Sequence, residues 1–426
     1  MQNFLKQYVK GDTVIWVVFM LLSLISVVEI YSATSSMVNY SDNYTTELVR
    51  HFSFLAAGAI IALFLHRMDY KWTRAIMYLF LPVSFVMLLL LIIQPKDINL
   101  TENFTLLSVI SERNATRWIK ILNIRFQPSE FAKIAVIVFL ADLFSKDSQK
   151  SFAIKSIAAL FKMELTEKAG RKIKFWLGLA VLGVFSLMIT KENFSTGALL
   201  FGVGFLMMIL GKLPWRHIIG LFVFGIIFLI ISFVIIENTP KETLEKVGIK
   251  RGKTWDKRID DFKKQIVNPF HIDDDTRQIA HTQMAISRGG LFGNLPGSSI
   301  ERNKLPQAYD DAIFAIIVEE LGLVVGILII LSYLILLYRA GIIAKKSEND
   351  YQALLALGLI VMMVLQAFVN IGVISRVIPV TGQPLPLLSR GGTSVIIMCM
   401  YIGIVQCVAA SIKKKETILS NDKNEE

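Results

Sequence analysis

The stretch 305–322, LPQAYDDAIFAIIVEELG, decides how this chain is read. It opens polar, with adjacent carboxylates at Asp310 and Asp311, and turns apolar at Ala312. A second acidic pair, Glu319 and Glu320, lies inside the apolar run that follows. Charge at such a depth marks a cavity, a partner or a reaction, because an unpaired ion in hydrocarbon is costly.

The surrounding composition places that run in a membrane. Of 426 residues, 54% are hydrophobic and 19% charged, and the mean hydropathy is +0.55. A soluble globular chain is less apolar. Ten runs fit as spans: 13–32, 52–66, 72–94, 128–145, 174–190, 194–211, 215–236, 312–338, 351–375 and 393–412. Runs near 20 residues cross a hydrocarbon core about 30 Å thick as helices. Their uniformity differs from the alternation of barrel strands. The predicted class is an all-α polytopic membrane protein, one membrane domain over residues 1–426, with its largest loop between the seventh and eighth spans.

Basic residues set the expected orientation. Lys6, Lys10, Arg67, Lys71, Arg74, the segment 146–174, Lys212, Arg216, Arg339, Lys345, Lys346 and Lys413–Lys415 all fall on one side. That side is cytoplasmic by the positive-inside rule, so both termini are cytoplasmic. The first residues, MQNFLKQYVKGDT, lead into a long run with no small-residue cleavage site, which predicts a retained first helix. The net charge of +11 gives no case for nucleic acid, since much of it lies beside apolar runs.

The cytoplasmic segment 146–173 contains SFAIKSIAALFK, whose broad apolar face has Lys155 and Lys162 at its margins. An interfacial helix is expected there, with docking of a cytoplasmic partner as the alternative. The tail 413–426 is polar and expected to be disordered. Two outer segments are long: 95–127, and 237–311, which has mixed charge and delivers the chain to Asp311. A loop of that length is rarely idle. Cys399 and Cys407 share one apolar run eight residues apart, which predicts free, buried thiols and no disulfide.

Four stretches carry polar chemistry. In RWIKILNIRFQPSEFAK (117–133), Pro128 suits a first helical turn. Lys133 follows Glu130 by three residues, so the two share a helix face. An interfacial girdle with one structural ion pair accounts for it equally. In ITKENFSTGALLF (189–201), Lys191–Asn193 make a turn, and Ser195, Thr196 and Gly197 start the next helix, where capping and close packing suffice. In IPVTGQPLPLLSRGGTS (378–394), three prolines and three glycines describe an irregular segment, which at membrane depth must line a cavity or be buried in protein. Its free N–H groups with Arg390 could hold an anion. The fourth is the opening stretch, where Asp310 and Asp311 could also merely cap a helix. The five histidines are scattered, and no zinc, phosphate-loop or serine-elbow motif is present.

Together, in this order, these stretches resemble the SEDS family of bacterial cell-wall proteins, the FtsW/RodA group. The matching pieces are RWI with QPSEFAK at 117–133, a glycine-rich segment before LP at 288–306, DAIFAIIVEELG at 311–322 and PVTGQPLPLLSRGGTS at 379–394. The resemblance covers nearly the whole chain and leans toward the FtsW branch, through Arg288 with its following glycines and through ENFST. It implies a peptidoglycan glycosyltransferase that polymerises lipid II on the outer face of the bacterial cytoplasmic membrane. Asp311 matches the family's essential aspartate. The implied substrate-binding residues are Arg117, Trp118, Gln127, Glu130, Lys133, Gln278, Arg288, Ser389, Arg390 and Gly391. A divalent cation, Mg²⁺ or Mn²⁺, is expected on Asp311 and Asp310. Lipid II, undecaprenyl-linked glycan, a class B penicillin-binding protein and other division proteins are the expected partners. The chain departs from the family's pattern at Leu295 (usually glycine), Tyr309 (often histidine), Asp310 (often threonine), Ala312 (usually aromatic) and Arg390 (usually tyrosine). An elongation-type, RodA-like polymerase, a lipid II flippase and a non-catalytic scaffold stay open as rivals to a septal, cell-division polymerase.

Overall fold

The computed structural model describes residues 10–35, 44–93, 98–101, 104–112, 115–121, 124–145, 167–213, 277–305, 309–390 and 392–425, with isolated helical positions between 216 and 225. Three helices open it: α1 (Thr13–Ser35), α2 (Tyr44–Leu65) and α3 (Tyr70–Ile93). An antiparallel meander follows, of β1 (Ile98–Thr101), β2 (Phe104–Glu112), β3 (Ala115–Ile121) and β4 (Ile124–Phe126), its strands side by side in chain order. Next come α4 (Pro128–Phe144), α5 (Glu167–Glu192) and α6 (Phe194–Leu210). The chain is described again at α7 (Arg277–Gly289), and continues through α8 (Ile313–Lys346), α9 (Asp350–Ile374) and α10 (Gly392–Glu425).

Nine of the ten predicted spans coincide with a helix. The seventh, 215–236, lies outside the described residues apart from its isolated helical positions, as do most of 146–173 and the part of the large loop before residue 277. Among the described residues, seven helices are long and apolar enough to cross a membrane. Helices α4 and α6 have 17 residues each, about 26 Å of helix.

Helix α4 is the centre of the bundle. Every residue in it except Phe131 is buried, and α3, α5, α6, α9 and α10 pack around it. Its three charged residues, Glu130, Lys133 and Asp142, are each at most 1% exposed. Lipid never meets them, which is how so short and charged a helix persists inside an apolar bundle.

Two features differ from the expectation. The described residues of the outer segment 95–127 form the meander. Its strands of three to nine residues leave no trace in a search for membrane-length runs. The tail 413–425 continues α10 as helix instead of being disordered. KKKETILSNDKNE has no Pro or Gly to stop a helix, and Lys and Glu extend one readily. Cys399 and Cys407 are free and buried, as expected.

Helix α8 breaks at Gly322, where φ is 85° and ψ 169°. The amides that follow lose their helical acceptors, and the loop after α7 supplies new ones. Leu323 N–H donates to the Gly290 carbonyl (3.0 Å) and Val324 N–H to that of Leu291 (3.2 Å), satisfying groups a helix start leaves open. Gly289 and Gly293 lie so close to the carbonyls of Val318 and Glu320 that any side chain would collide. The buried acids of the opening stretch secure the same loop. Glu320 accepts from Gly297 N–H (2.9 Å), Ser299 N–H (3.2 Å) and Ser32 Oγ of α1 (2.6 Å). Glu319 accepts from Ile300 N–H (3.1 Å) and from the Ser299 hydroxyl. This pair is structural.

Candidate functional site

Asp311 lies in the turn that leads into α8. Facing it is Gly382, with φ +65°, in the proline-rich segment. A Cβ on Gly382 would meet Asp311 Oδ2 at 3.4 Å and Arg117 Nη1 at 3.7 Å. The carboxylate from before α8 and the guanidinium from β3 therefore converge on one turn. Beside them is a cavity of about 30 Å³, lined by Gln278 and Thr282 of α7, Asp311, Asn370 of α9 and Thr381–Gln383 among others. That volume suits a water molecule. A sugar-sized acceptor requires α7 or the 379–383 turn to move aside.

The proline-rich segment has little regular structure, and buried side chains of the bundle fix it. Asn370 donates to the carbonyls of Asp311 (2.9 Å) and Gln383 (2.7 Å). Gln366 donates to Pro384 O (3.2 Å), and Tyr333 to Pro386 O. Gln383 in turn donates to Ser195 Oγ (3.0 Å) and to Thr196, so the ENFST stretch meets the proline-rich one at the start of α6. Ser389 Oγ donates to Asp310 O (2.6 Å) and accepts from Leu385 N–H (2.7 Å). Irregular backbone here is buried in protein, with Leu385, Leu387 and Leu388 at most 1% exposed, as membrane depth demands.

Glu130 and Lys133 pair at 2.7 Å with almost no exposure. Lys133 Nζ also donates to Gln366 Oε1 (2.7 Å), which links the pair to Pro384 and through it to the turn facing Asp311. Gln127 caps α4 by position, and its N–H donates to Thr393 Oγ1 of α10 (3.3 Å). Trp118 is half-buried and stands opposite Ile110 across β2 and β3.

Arg390 lies with its guanidinium 4.3 Å from the Tyr309 ring centroid, and its N–H donates to Tyr309 O (2.9 Å). The unusual tyrosine at 309 and the unusual arginine at 390 are thus one cation–π pair, of a kind worth about 0.5–2 kcal/mol. Arg288 is turned elsewhere. It lies 3.2 Å from Glu301, a fully buried acid that also pairs with His281 (2.6 Å) and Lys304 (3.5 Å). Arg288 does not line the cavity at Asp311. Gly391 lies outside the described residues.

Among the described residues no group of three or more His, Cys, Asp or Glu side chains is arranged to hold a metal ion. Asp310 and Asp311 offer two carboxylates. That suits a Mg²⁺-like ion that keeps waters and takes further ligands from substrate phosphates.

Sequence reasoning missed Gln366, Asn370 and the role of Gln383. A signal for the first two was present. They lie four residues apart in an apolar run, hence on one helix face, and amide side chains inside a span usually have work to do.

A helical membrane bundle with a carboxylate and a guanidinium gathered at one end defines a membrane-embedded protein built around a polar site. The chain belongs to the FtsW/RodA/SpoVE family of cell cycle proteins, whose family model matches residues 12–414. It is similar to stage V sporulation protein E of Bacillus subtilis, with 29% identity over 92% of this chain and 95% of that protein. It is similar to the probable peptidoglycan glycosyltransferase FtsW of B. subtilis, with 28% identity over 71% and 69% of the two chains. With the peptidoglycan glycosyltransferase MrdB of Escherichia coli K12 it shares 29% identity over 70% and 71%. The fold matches a chain of a peptidoglycan synthase complex, with a TM-score of 0.63 at 19% identity, covering 94% of this chain and 97% of that one. It also matches Thermus thermophilus RodA, with a TM-score of 0.57 at 20% identity, covering 95% and 98%.

Proposed function

We infer that this chain is a peptidoglycan glycosyltransferase that polymerises lipid II into glycan strands. The observation that carries the reading is the meeting of Asp311 and Arg117 at the Gly382 turn, in a chain of this family. In the proposed reaction, the 4-hydroxyl of one lipid-linked disaccharide attacks the anomeric carbon of a lipid-linked glycan. Asp311 takes the hydroxyl proton as the new C–O bond forms. The bond from the anomeric carbon to the pyrophosphate oxygen breaks, and undecaprenyl pyrophosphate leaves with the electron pair. The new linkage is β, so the centre inverts. Arg117 supplies positive charge beside the reacting groups, and a general base in place contributes about 10²–10⁴-fold. A divalent cation, when bound, would be held by Asp311 with Asp310 and would neutralise pyrophosphate charge.

The reading includes both termini in the cytoplasm and the site on the outer side of the bacterial cytoplasmic membrane, following the distribution of Lys and Arg. It assigns a septal role in cell division, supported by Arg288 with its glycines and by the ENFST segment. The partner is a class B penicillin-binding protein within a division assembly. A matching structure is described as coordinating polymerization and crosslinking in a peptidoglycan synthase complex, and crosslinking is transpeptidase chemistry.

The test is polymerisation of lipid II by the purified protein in detergent, where no second leaflet exists and a flippase would do nothing. Wild type is expected to make glycan. Folded Asp311→Asn or Asp311→Ala protein working at the wild-type rate would remove Asp311 as the base.

A further inference from the structure

Glu301 is fully buried, in a single 3₁₀ turn (Glu301–Asn303) between α7 and α8. Taking a carboxylate out of water is costly, and close partners must offset the loss. Two of its partners come from α7: His281 Nδ1 at 2.6 Å and Arg288 Nη1 at 3.2 Å. Those residues are seven apart, two helical turns, so they share one face of the helix. The turn that bears Glu301 is itself tied to α8. Ile300 N–H (3.1 Å) and the Ser299 hydroxyl donate to Glu319, and Arg302 N–H donates to Ser299 Oγ (3.1 Å). Glu301 is thus the tip of an arm built on α8 that reaches α7.

The two halves of α7 are held differently. Toward its C-terminus, Ala285 is fully buried and Gly289 lies against the Val318 carbonyl, so packing fixes it. The N-terminal half carries Gln278, Ile279 and Thr282 into the lining of the Asp311 cavity. Side chains hold it there: Gln283 donates to Ile374 O of α9, and His281 meets Glu301. A contact to a buried carboxylate is the stronger of these two kinds. The facing wall of the cavity, Thr381–Gln383, is fixed by Asn370 and by Ser195 of α6.

We propose that Glu301 and His281 are positioning residues for glycosyl transfer. Their pairing holds the N-terminal half of α7 so that the Gln278 amide and the Thr282 hydroxyl meet the acceptor sugar beside Asp311. Both residues act through α7. The purpose of the contact rests on the glycosyltransferase reading, whereas the contact itself is measured without turnover.

The experiment uses the full chain in detergent, with amide hydrogen exchange across 277–289 followed beside lipid II polymerisation. His281→Ala is expected to speed exchange at 277–284 roughly 10- to 100-fold, as loss of a hydrogen bond to a charged group does. It should raise KM for lipid II roughly tenfold with a smaller change in kcat, the mark of lost binding contacts and not of less folded enzyme. His281→Gln keeps a side-chain N–H for Glu301 and should recover most of both. Glu301→Ala should match or exceed His281→Ala. It leaves the turn's backbone bond from Lys304 N–H to Glu301 O (3.0 Å) in place, so it keeps the test valid if His281→Ala fails to fold. The double variant should exchange no faster than Glu301→Ala alone, since both changes remove the same contact. Wild-type exchange in either folded single variant, or additive effects in the double one, would overturn the pairing as the hold on α7. Faster exchange with KM unchanged would overturn its service to the reaction. A wild type that makes no glycan would instead count against the glycosyltransferase reading, and the exchange comparison would still decide whether the pair holds α7.

Discussion

Asn370 and Asp311 are joined by a 2.9 Å hydrogen bond from the Asn370 side-chain amide to the Asp311 carbonyl oxygen. The same nitrogen donates to Gln383 O at 2.7 Å. One buried side chain of α9 thus fixes both walls of the candidate site: the turn that bears the acid and the turn that faces it. Asn370→Ala leaves two carbonyls short of a donor, at about 1–3 kcal/mol. Turnover in the lipid II polymerisation assay is expected to fall roughly 10- to 100-fold, as small misplacements of reacting groups do, with KM little changed. An unaltered rate would show that the walls hold without it.

Asp310 and Asp311 are expected to behave differently. The Asp310 backbone carbonyl accepts from the Ser389 hydroxyl, a contact that survives a side-chain change. Asp310→Asn should keep activity within about tenfold of wild type, whereas Asp311→Asn loses about 10²–10⁴-fold. Part of the Asp310→Asn loss should be relieved by raised Mg²⁺, because Asp310 would share the ion with Asp311; no relief would take Asp310 off the ion.

The Glu130–Lys133 pair, 2.7 Å apart in the bundle centre, is expected to be sensitive to single changes. Glu130→Gln or Lys133→Met leaves a buried charge uncompensated, at about 3–5 kcal/mol. The double variant Glu130→Gln, Lys133→Met should recover part of that loss. Thermal unfolding in detergent measures all three proteins. A double variant less stable than either single one would mean that each residue holds the bundle through a separate partner.

Gly322→Ala is expected to destabilise the protein by about 1–3 kcal/mol, because its φ and ψ fall in a region open essentially to glycine. Its Cβ would also run into the loop at Leu291–Gly293. Gly183→Ala in α5, where a Cβ meets nothing within 4 Å, should be neutral or stabilising by up to about 1 kcal/mol. Unfolding midpoints of the two variants decide the matter.

Membrane spans were legible because an apolar run of bilayer length has few other uses. The acid pair inside α8 was legible as a pair in need of partners, because buried carboxylates need donors, and Glu319 and Glu320 have them in the 297–300 backbone. The scaffold around Asp311 was not legible. It depends on Asn370 and Gln366 meeting carbonyls of residues 311, 383 and 384, and nothing local specifies which backbone will arrive there. Arg288 has a contact to which the sequence did not point. Its place beside glycines drew it into the site by resemblance, but the nearby buried Glu301 holds it. Tyr309 and Arg390 looked like two separate departures from a pattern, and only the fold shows them to be one exchange.

The break at Gly322 sets a height. The part of α8 after it, 323–346, has 24 residues, about 36 Å of helix, and already exceeds the hydrocarbon thickness of about 30 Å. The nine residues before it, 313–321, are left over as a post of roughly 14 Å. In the proposed orientation that post lifts Asp311 clear of the acyl chains, to the level where a headgroup's phosphates and first sugar stand. Removing one turn of the post would lower the acid by roughly 5 Å, leaving its chemistry intact and its substrate out of reach.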